Sequence, residues 1–90
     1  MPQLVFTNRF QKDVKLLLKR GFNMELLKKV ISLLEETGEL PSENSPHKLS
    51  GDYSGYWEAH LKSDWIIIWK FYPDENEIWL TRTGTHSDLF

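Results

Sequence analysis

No cysteine occurs among the 90 residues, so the chain has neither a disulfide framework nor a thiolate to act as nucleophile or metal ligand, and nothing points to an oxidising compartment. Long apolar runs are missing too. The longest, "WIIIW" (Trp65 to Trp69), is far short of a bilayer span, and the opening "MPQLVFTNRF" lacks the pattern of a signal peptide. The expectation is a soluble, unprocessed, cytoplasmic protein with no membrane partner. Glycine (5) and proline (4) are sparse, and no Walker or GxGxxG loop is present; "GTH" (Gly84 to His86) is too short to cradle a phosphate. Only three histidines occur, with no HxxH or HExxH spacing to suggest zinc.

What remains is a globular composition: 40% hydrophobic, with four Trp, three Tyr and five Phe to bury area. Ninety residues make one domain, 1–90. The net charge of −2 speaks weakly against a polyanionic partner, but the charge is uneven. Arg9, Lys12, Lys15, Lys19, Arg20, Lys28 and Lys29 face only Asp13 and Glu25 in the first third, whereas Glu35, Glu36, Glu39 and Glu43 follow. Such a basic run is more often a solvated helix face than a phosphate surface.

"QLVF" (Gln3 to Phe6) reads as a strand, and Thr7 or Asn8 caps a helix whose apolar stripe is Phe10, Val14, Leu17 and Leu18, stopped at Gly21. Asn23 caps a second helix with Leu26, Leu27, Val30, Leu33 and Leu34 on one face, ended near Gly38. Leu40 to Tyr53 is a long loop. From Tyr56, "YWEAHL", "DWIIIWKFY" and "EIWLTR" read as a three-stranded antiparallel meander. The order β-α-α-β-β-β implies an α+β fold, with the helix hairpin packed on one face of a small, mainly antiparallel twisted sheet. If Lys62 and Ser63 form a two-residue loop, Leu61 pairs with Asp64 and His60 with Trp65. Trp57, Ala59, Leu61, Ile66 and Ile68 then meet the helices, and Glu58, His60, Trp65 and Trp69 look the other way.

His60 near Glu58 or Asp64 suits acid–base chemistry, since an imidazole near pKa ~6.5 both takes and gives a proton at neutral pH. A surface histidine is the plainer explanation. Arg82 with His86 suits a phosphate, one gripping oxygens and the other moving a proton. His47 is most simply a loop-stabilising residue. Zinc held by His47, His60 and His86 ranks well below metal-free chemistry. The tryptophans are mostly core candidates, with Trp65 the one expected to be exposed as a base-stacking platform.

Taken together, "HKL" (His47 to Leu49), "YWEAHLKSDWIIIWKF" (Tyr56 to Phe71) and the ending "RTGTHSDLF" (Arg82 to Phe90) resemble the YafQ-like branch of the RelE superfamily of bacterial toxin endoribonucleases. The resemblance implies a RelE-like fold and a type II toxin that cuts messenger RNA on the ribosome, without cofactor or metal, and is silenced by a cognate antitoxin. It places His47, His60, Asp64 and His86 among catalytic groups, and Glu58, Trp65, Arg82 and Phe90 among supporting or RNA-contacting ones. Glu58 stands where a shorter aspartate is expected. His86 would serve the leaving group or phosphate, Arg82 the developing charge, and His60 or His47 with Asp64 the proton abstraction. Phe90 is expected to fold over the site, near His86 and Trp65. The basic helices would meet ribosomal RNA, and operator DNA would be reached only through the antitoxin. The alternative is a catalytically weak relative, a binding module acting with its antitoxin in operator repression.

Overall fold

A computed structural model describes all 90 residues. Strand β1 (Gln3–Phe6) leads into helices α1 (Asn8–Lys19) and α2 (Met24–Thr37); the two-residue β2 (His47–Lys48), β3 (Trp57–Lys62), β4 (Trp65–Tyr72), β5 (Glu77–Thr85) and the short α3 (His86–Leu89) follow. The strands form one sheet in the order β1-β5-β4-β3-β2, antiparallel except for β1, which runs parallel to β5. The expected α+β fold is what forms. No helix is long and apolar enough to cross a membrane.

Local chemistry sets the helix ends where the sequence placed them. The Thr7 side chain accepts the N–H of Phe10 (3.1 Å), Asn23 accepts that of Glu25 (3.0 Å), and Gly38 closes α2 in the left-handed conformation at φ 76°. Both helices cover one sheet face. Phe10, Leu17, Leu27, Val30 and Leu34 pack there against Ala59, Trp65, Ile67, Trp69, Ile78 and Leu80. Leu18 is 61% exposed, so the buried stripe of α1 is narrower than its sequence pattern.

The register differs from expectation by one residue, with large consequences. The β3–β4 loop is Ser63–Asp64, with Lys62 opposite Trp65 and His60 opposite Ile66, and Leu61 is bulged between them. Ser63 makes this turn by adopting φ 50°. Because side chains alternate, the slip moves Trp65 and Trp69 to the helix side and Ile66 and Ile68 to the other face, where they form a small second core with Leu89, Leu49, Tyr53 and Tyr56. Trp65 is therefore no exposed platform. It is 4% exposed, its indole Nε1–H donates to Thr83 Oγ1 (2.9 Å), and its ring meets Phe22 edge-on at 5.1 Å. Trp79, at 37%, is the most exposed tryptophan, and Trp57 is partly buried.

A second irregularity lies between β4 and β5. Ile68 pairs with Arg82 and Trp69 with Leu80, so Thr81 is the extra residue. Before it, Ile78 and Leu80 face the helices; after it, the parity reverses, Thr83 enters the core and Arg82 joins Ile68 on the second face.

Candidate active site

Glu58, Ile68 and Arg82 form one row across three strands, and His60 and Ile66 the adjacent row. On the outer side of β3, His47 pairs directly with Glu58. Past the end of β5, Thr85 caps α3 through a reciprocal exchange with Asp88, which sets His86 at the head of that helix. Five sequence-selected residues thus meet at one end of the second sheet face: His47, Glu58, His60, Asp64 and His86.

At their centre is Glu58, only 4% exposed. Its Oε1 lies 3.3 Å from Nε2 of His47, 4.0 Å from Nε2 of His60 and 3.8 Å from Nε2 of His86. The far nitrogen of each ring is held by another oxygen: His47 Nδ1 by the Ser45 carbonyl (3.0 Å), His60 Nδ1 by the Ser63 carbonyl (3.3 Å), and His86 Nδ1 by the Asp64 carboxylate. A carbonyl can only accept, so Nδ1 of His47 and of His60 carries the hydrogen. In their neutral forms the Nε2 lone pairs then point inward. Glu58 is the hub on which they converge, a role that a side chain one methylene longer than aspartate can reach from mid-strand.

Asp64 belongs to His86, not to His47 or His60 as the sequence suggested, because the shifted turn carries it toward α3. It accepts both the ring Nδ1–H and the backbone N–H of His86, the latter at 3.3 Å. That hydrogen bond holds the His86 pKa above its usual value, with the charges of Asp64 and Glu58 adding to the effect against some desolvation. The same bond holds the Asp64 carboxyl below its usual range. The rings of His60 and His86 lie 5.7 Å apart, centroid to centroid.

Arg82 is not a free cation. Its Nε and Nη2 donate to Asp13 of α1 at 2.7 and 3.2 Å, which raises its already high pKa further. Phe90 is 61% exposed and lies over the site beside His86 (6.1 Å, 29° between planes) and Tyr53 (5.3 Å). The expected contact with Trp65 does not form, since that residue is on the other face. Sequence reasoning missed Asp13 and Tyr53. Asp13 did leave a signal, as the one acid in the basic run of α1; Tyr53 left none.

Glu58, His60 and His86 also offer ligand atoms within 4.8 Å of one another, a grouping that could hold a metal ion. It replaces His47, of the three-histidine set considered from sequence, with the central carboxylate.

The family model described as "Bacterial toxin of type II toxin-antitoxin system, YafQ" matches residues 2–90. The chain belongs to the YafQ toxin family. It is 40% identical over 86 residues to the mRNA interferase toxin YafQ of Escherichia coli K12, covering 94% of this chain and 91% of that one. YafQ in the crystal structure of the E. coli DinJ–YafQ complex superposes with a TM-score of 0.88 at 37% identity, over 100% of this chain and 99% of that chain. A metal-bound toxin from Helicobacter pylori gives a TM-score of 0.90 at 36% identity, with both chains fully covered. The YafQ relatives thus share both the two-layer fold and most of the chain length on which the site is built.

Proposed function

We propose that this YafQ-family chain is a cytoplasmic toxin that cleaves messenger RNA on the ribosome by metal-independent attack of a 2′-hydroxyl on the neighbouring phosphodiester. The observation that carries the reading is the convergence of three imidazole Nε2 atoms on Glu58, each ring fixed from behind through Nδ1. Acid and base catalysis at one phosphate needs a lone pair and a proton held on opposite sides of it. His60 supplies the lone pair and takes the 2′-OH proton, with Glu58 offsetting the imidazolium that forms; His47 stands beside Glu58 at the strand edge, 3.3 Å away. His86, whose imidazolium form Asp64 stabilises, gives its Nε2 proton to the departing 5′-oxygen. The 2′-O–P bond forms as the P–O5′ bond breaks, leaving a 2′,3′-cyclic phosphate and a 5′-hydroxyl. Arg82 stabilises charge on the equatorial oxygens, and Phe90 stacks on a base beside the cut.

The exposed Arg9, Lys12, Lys15 and Lys19 of α1 form a basic surface suited to ribosomal RNA despite the net charge of −2. A cognate antitoxin is the silencing partner, as the complex of YafQ with DinJ in E. coli suggests, and operator DNA is reached through it.

The same donor set favours a second reading, in which a transition metal regulates the site. Each ring's Nδ1 is held by an oxygen, the usual support of metal-bound histidine, and a relative from H. pylori is metal-bound. Glu58, His60 and His86 would hold the ion, which supplies Lewis acidity when bound and occupies the lone pairs that proton transfer needs.

Mapping messenger cleavage in a translating extract, with and without ribosomes, tests both. Cuts that need ribosomes, survive EDTA and vanish in His86→Ala support the first reading. Cuts that require added metal support catalysis through the ion, and inhibition by zinc or copper supports its regulatory role. A folded chain that cuts nothing leaves the binding module acting with its antitoxin.

A further inference from the structure

Helix α1 approaches the site from outside the sheet. β1 pairs with β5 only as far as Phe6 opposite Leu80, so the second half of β5 has an open edge. Asp13 closes it: its Oδ2 accepts the backbone N–H of Thr83 (3.1 Å) and the Nε–H of Arg82 (2.7 Å), while its Oδ1 accepts from Arg82 Nη2 (3.2 Å). Asp13 is the only acid in α1, yet it makes no ion pair with the lysines of its own helix. It is turned inward, 12% exposed, against an arginine 15% exposed. Both bonds use the Nε–Nη2 edge of the guanidinium, and no partner is found for Nη1. A fork fixed along one edge presents the other in a set direction, something a lone arginine on an edge strand does not do.

We propose that Asp13 is a positioning residue for the cleavage reaction, holding Arg82 side-on at the open edge of β5 so that Nη1 faces the scissile phosphate. The inference rests on the endoribonuclease reading and adds to it a residue outside the histidine cluster. A parallel tie runs from the C-cap of the same helix: Arg20 Nη1 donates to Asp88 Oδ2 (2.9 Å), and Asp88 caps the helix that begins with His86. One rod therefore braces both the cation and the proton donor, while its outer face carries the basic residues.

The plainer role for Asp13 is to cap the Thr83 N–H, and kinetics separate the two. Cleavage of ribosome-bound messenger is compared for the native chain, Asp13→Asn, Arg82→Ala and the double variant. A positioning role predicts that Asp13→Asn lowers kcat by about 10²-fold, the cost of misplacing a group by an ångström, with KM nearly unchanged. It also predicts no further loss when Asp13→Asn is added to Arg82→Ala, because Asp13 acts through that arginine. A native rate in Asp13→Asn overturns the proposal, as do losses that multiply in the double variant. Should Asp13→Asn fail to fold, Asp13→Glu keeps the charge while lengthening the arm; slowed cleavage from a folded protein supports positioning, and a native rate overturns it. Failure of the native chain to cut defeats the endoribonuclease reading itself, and is seen before any variant is made.

Discussion

Replacing Trp65 separates a structural tryptophan from a substrate-stacking one. Its side chain is 4% exposed; burying up to roughly 250 Å² of indole at about 25 cal/mol per Å² gives an upper limit near 6 kcal/mol. Measured Trp→Ala losses in cores run at about 3–5 kcal/mol. A chain of this size has a total stability of roughly 5–14 kcal/mol, so Trp65→Ala should leave it barely folded. Trp65→Phe is the more informative change. It keeps most of the ring and its packing against Phe22, but loses the indole bond to Thr83. The Thr83 hydroxyl still donates to the Ile66 carbonyl at 2.8 Å, so no buried donor is orphaned and the loss should be about 1–2 kcal/mol. That corresponds to a fall in Tm of roughly 5–15 °C for a domain of this size. Thermal unfolding followed by circular dichroism gives the first quantity, and cleavage of a ribosome-bound message well below Tm gives the second. Lower Tm with near-native cleavage is the expected pair. Native Tm with cleavage reduced by about 10²-fold would refute the burial argument and return Trp65 to the substrate.

The Asp64 carboxylate keeps His86 protonated to higher pH, so if imidazolium is the acid, cleavage falls as pH rises through that raised pKa, and Asp64→Asn should move this alkaline limb to lower pH. The pair's contribution to stability follows the same signs. The His86 part is lost as pH rises through its raised value, and the Asp64 part as pH falls through its lowered one, so the Tm gap between native and Asp64→Asn should be widest between them and shrink on both sides. An alkaline limb that does not move removes His86 as the acid. His86→Ala should lower cleavage by about 10²–10⁴-fold, with a fall in Tm no greater than that of Asp64→Asn, since the ring is 45% exposed and the same pair is lost. Phe90→Ala, which keeps the backbone bond from residue 90 to the His86 carbonyl, should weaken cleavage by about 10-fold or more at low messenger concentration; unchanged cleavage excludes stacking by Phe90.

Features written in local chemistry were legible in the sequence. Thr7 and Asn23 cap, Gly21 and Gly38 stop, and "QLVF" is the strand it resembles, because each signal acts within a turn of itself. The two-residue β2 could not be seen, since His47 and Lys48 carry no period and are held in the sheet only by β3. Register was misplaced for a related reason. "KSD" permits a two-residue loop at Lys62–Ser63 or at Ser63–Asp64, and the choice depends on which face buries the tryptophans. The helices decide this by taking Trp65 and Trp69, and Leu61 bulges to absorb the difference. Arg82 reached the correct face through the Thr81 bulge, which no strand pattern announces. The residues of the site were thus readable one by one, whereas the pairing of Asp64 with His86 required the third dimension.

Backbone geometry, more than additional side chains, fixes how the imidazoles are presented. Ser45 and Ser63 are two of only three non-glycine residues with positive φ, at 49° and 50°, and theirs are the carbonyls that hold Nδ1 of His47 and His60. The left-handed conformation costs roughly 1–2 kcal/mol for a residue with a Cβ, and it persists where surrounding structure demands it. The turn at Ser63 serves two histidines, since its carbonyl orients His60 and its next residue, Asp64, orients His86. Ser63→Gly tolerates that φ without penalty, so it should cleave like the native chain. Ser63→Val opposes it through β-branching and should swing the carbonyl away, freeing the His60 ring to change tautomer and lowering kcat more than KM. Equal cleavage by the two variants, both folded, would mean that the turn closes the hairpin and does nothing for the histidines.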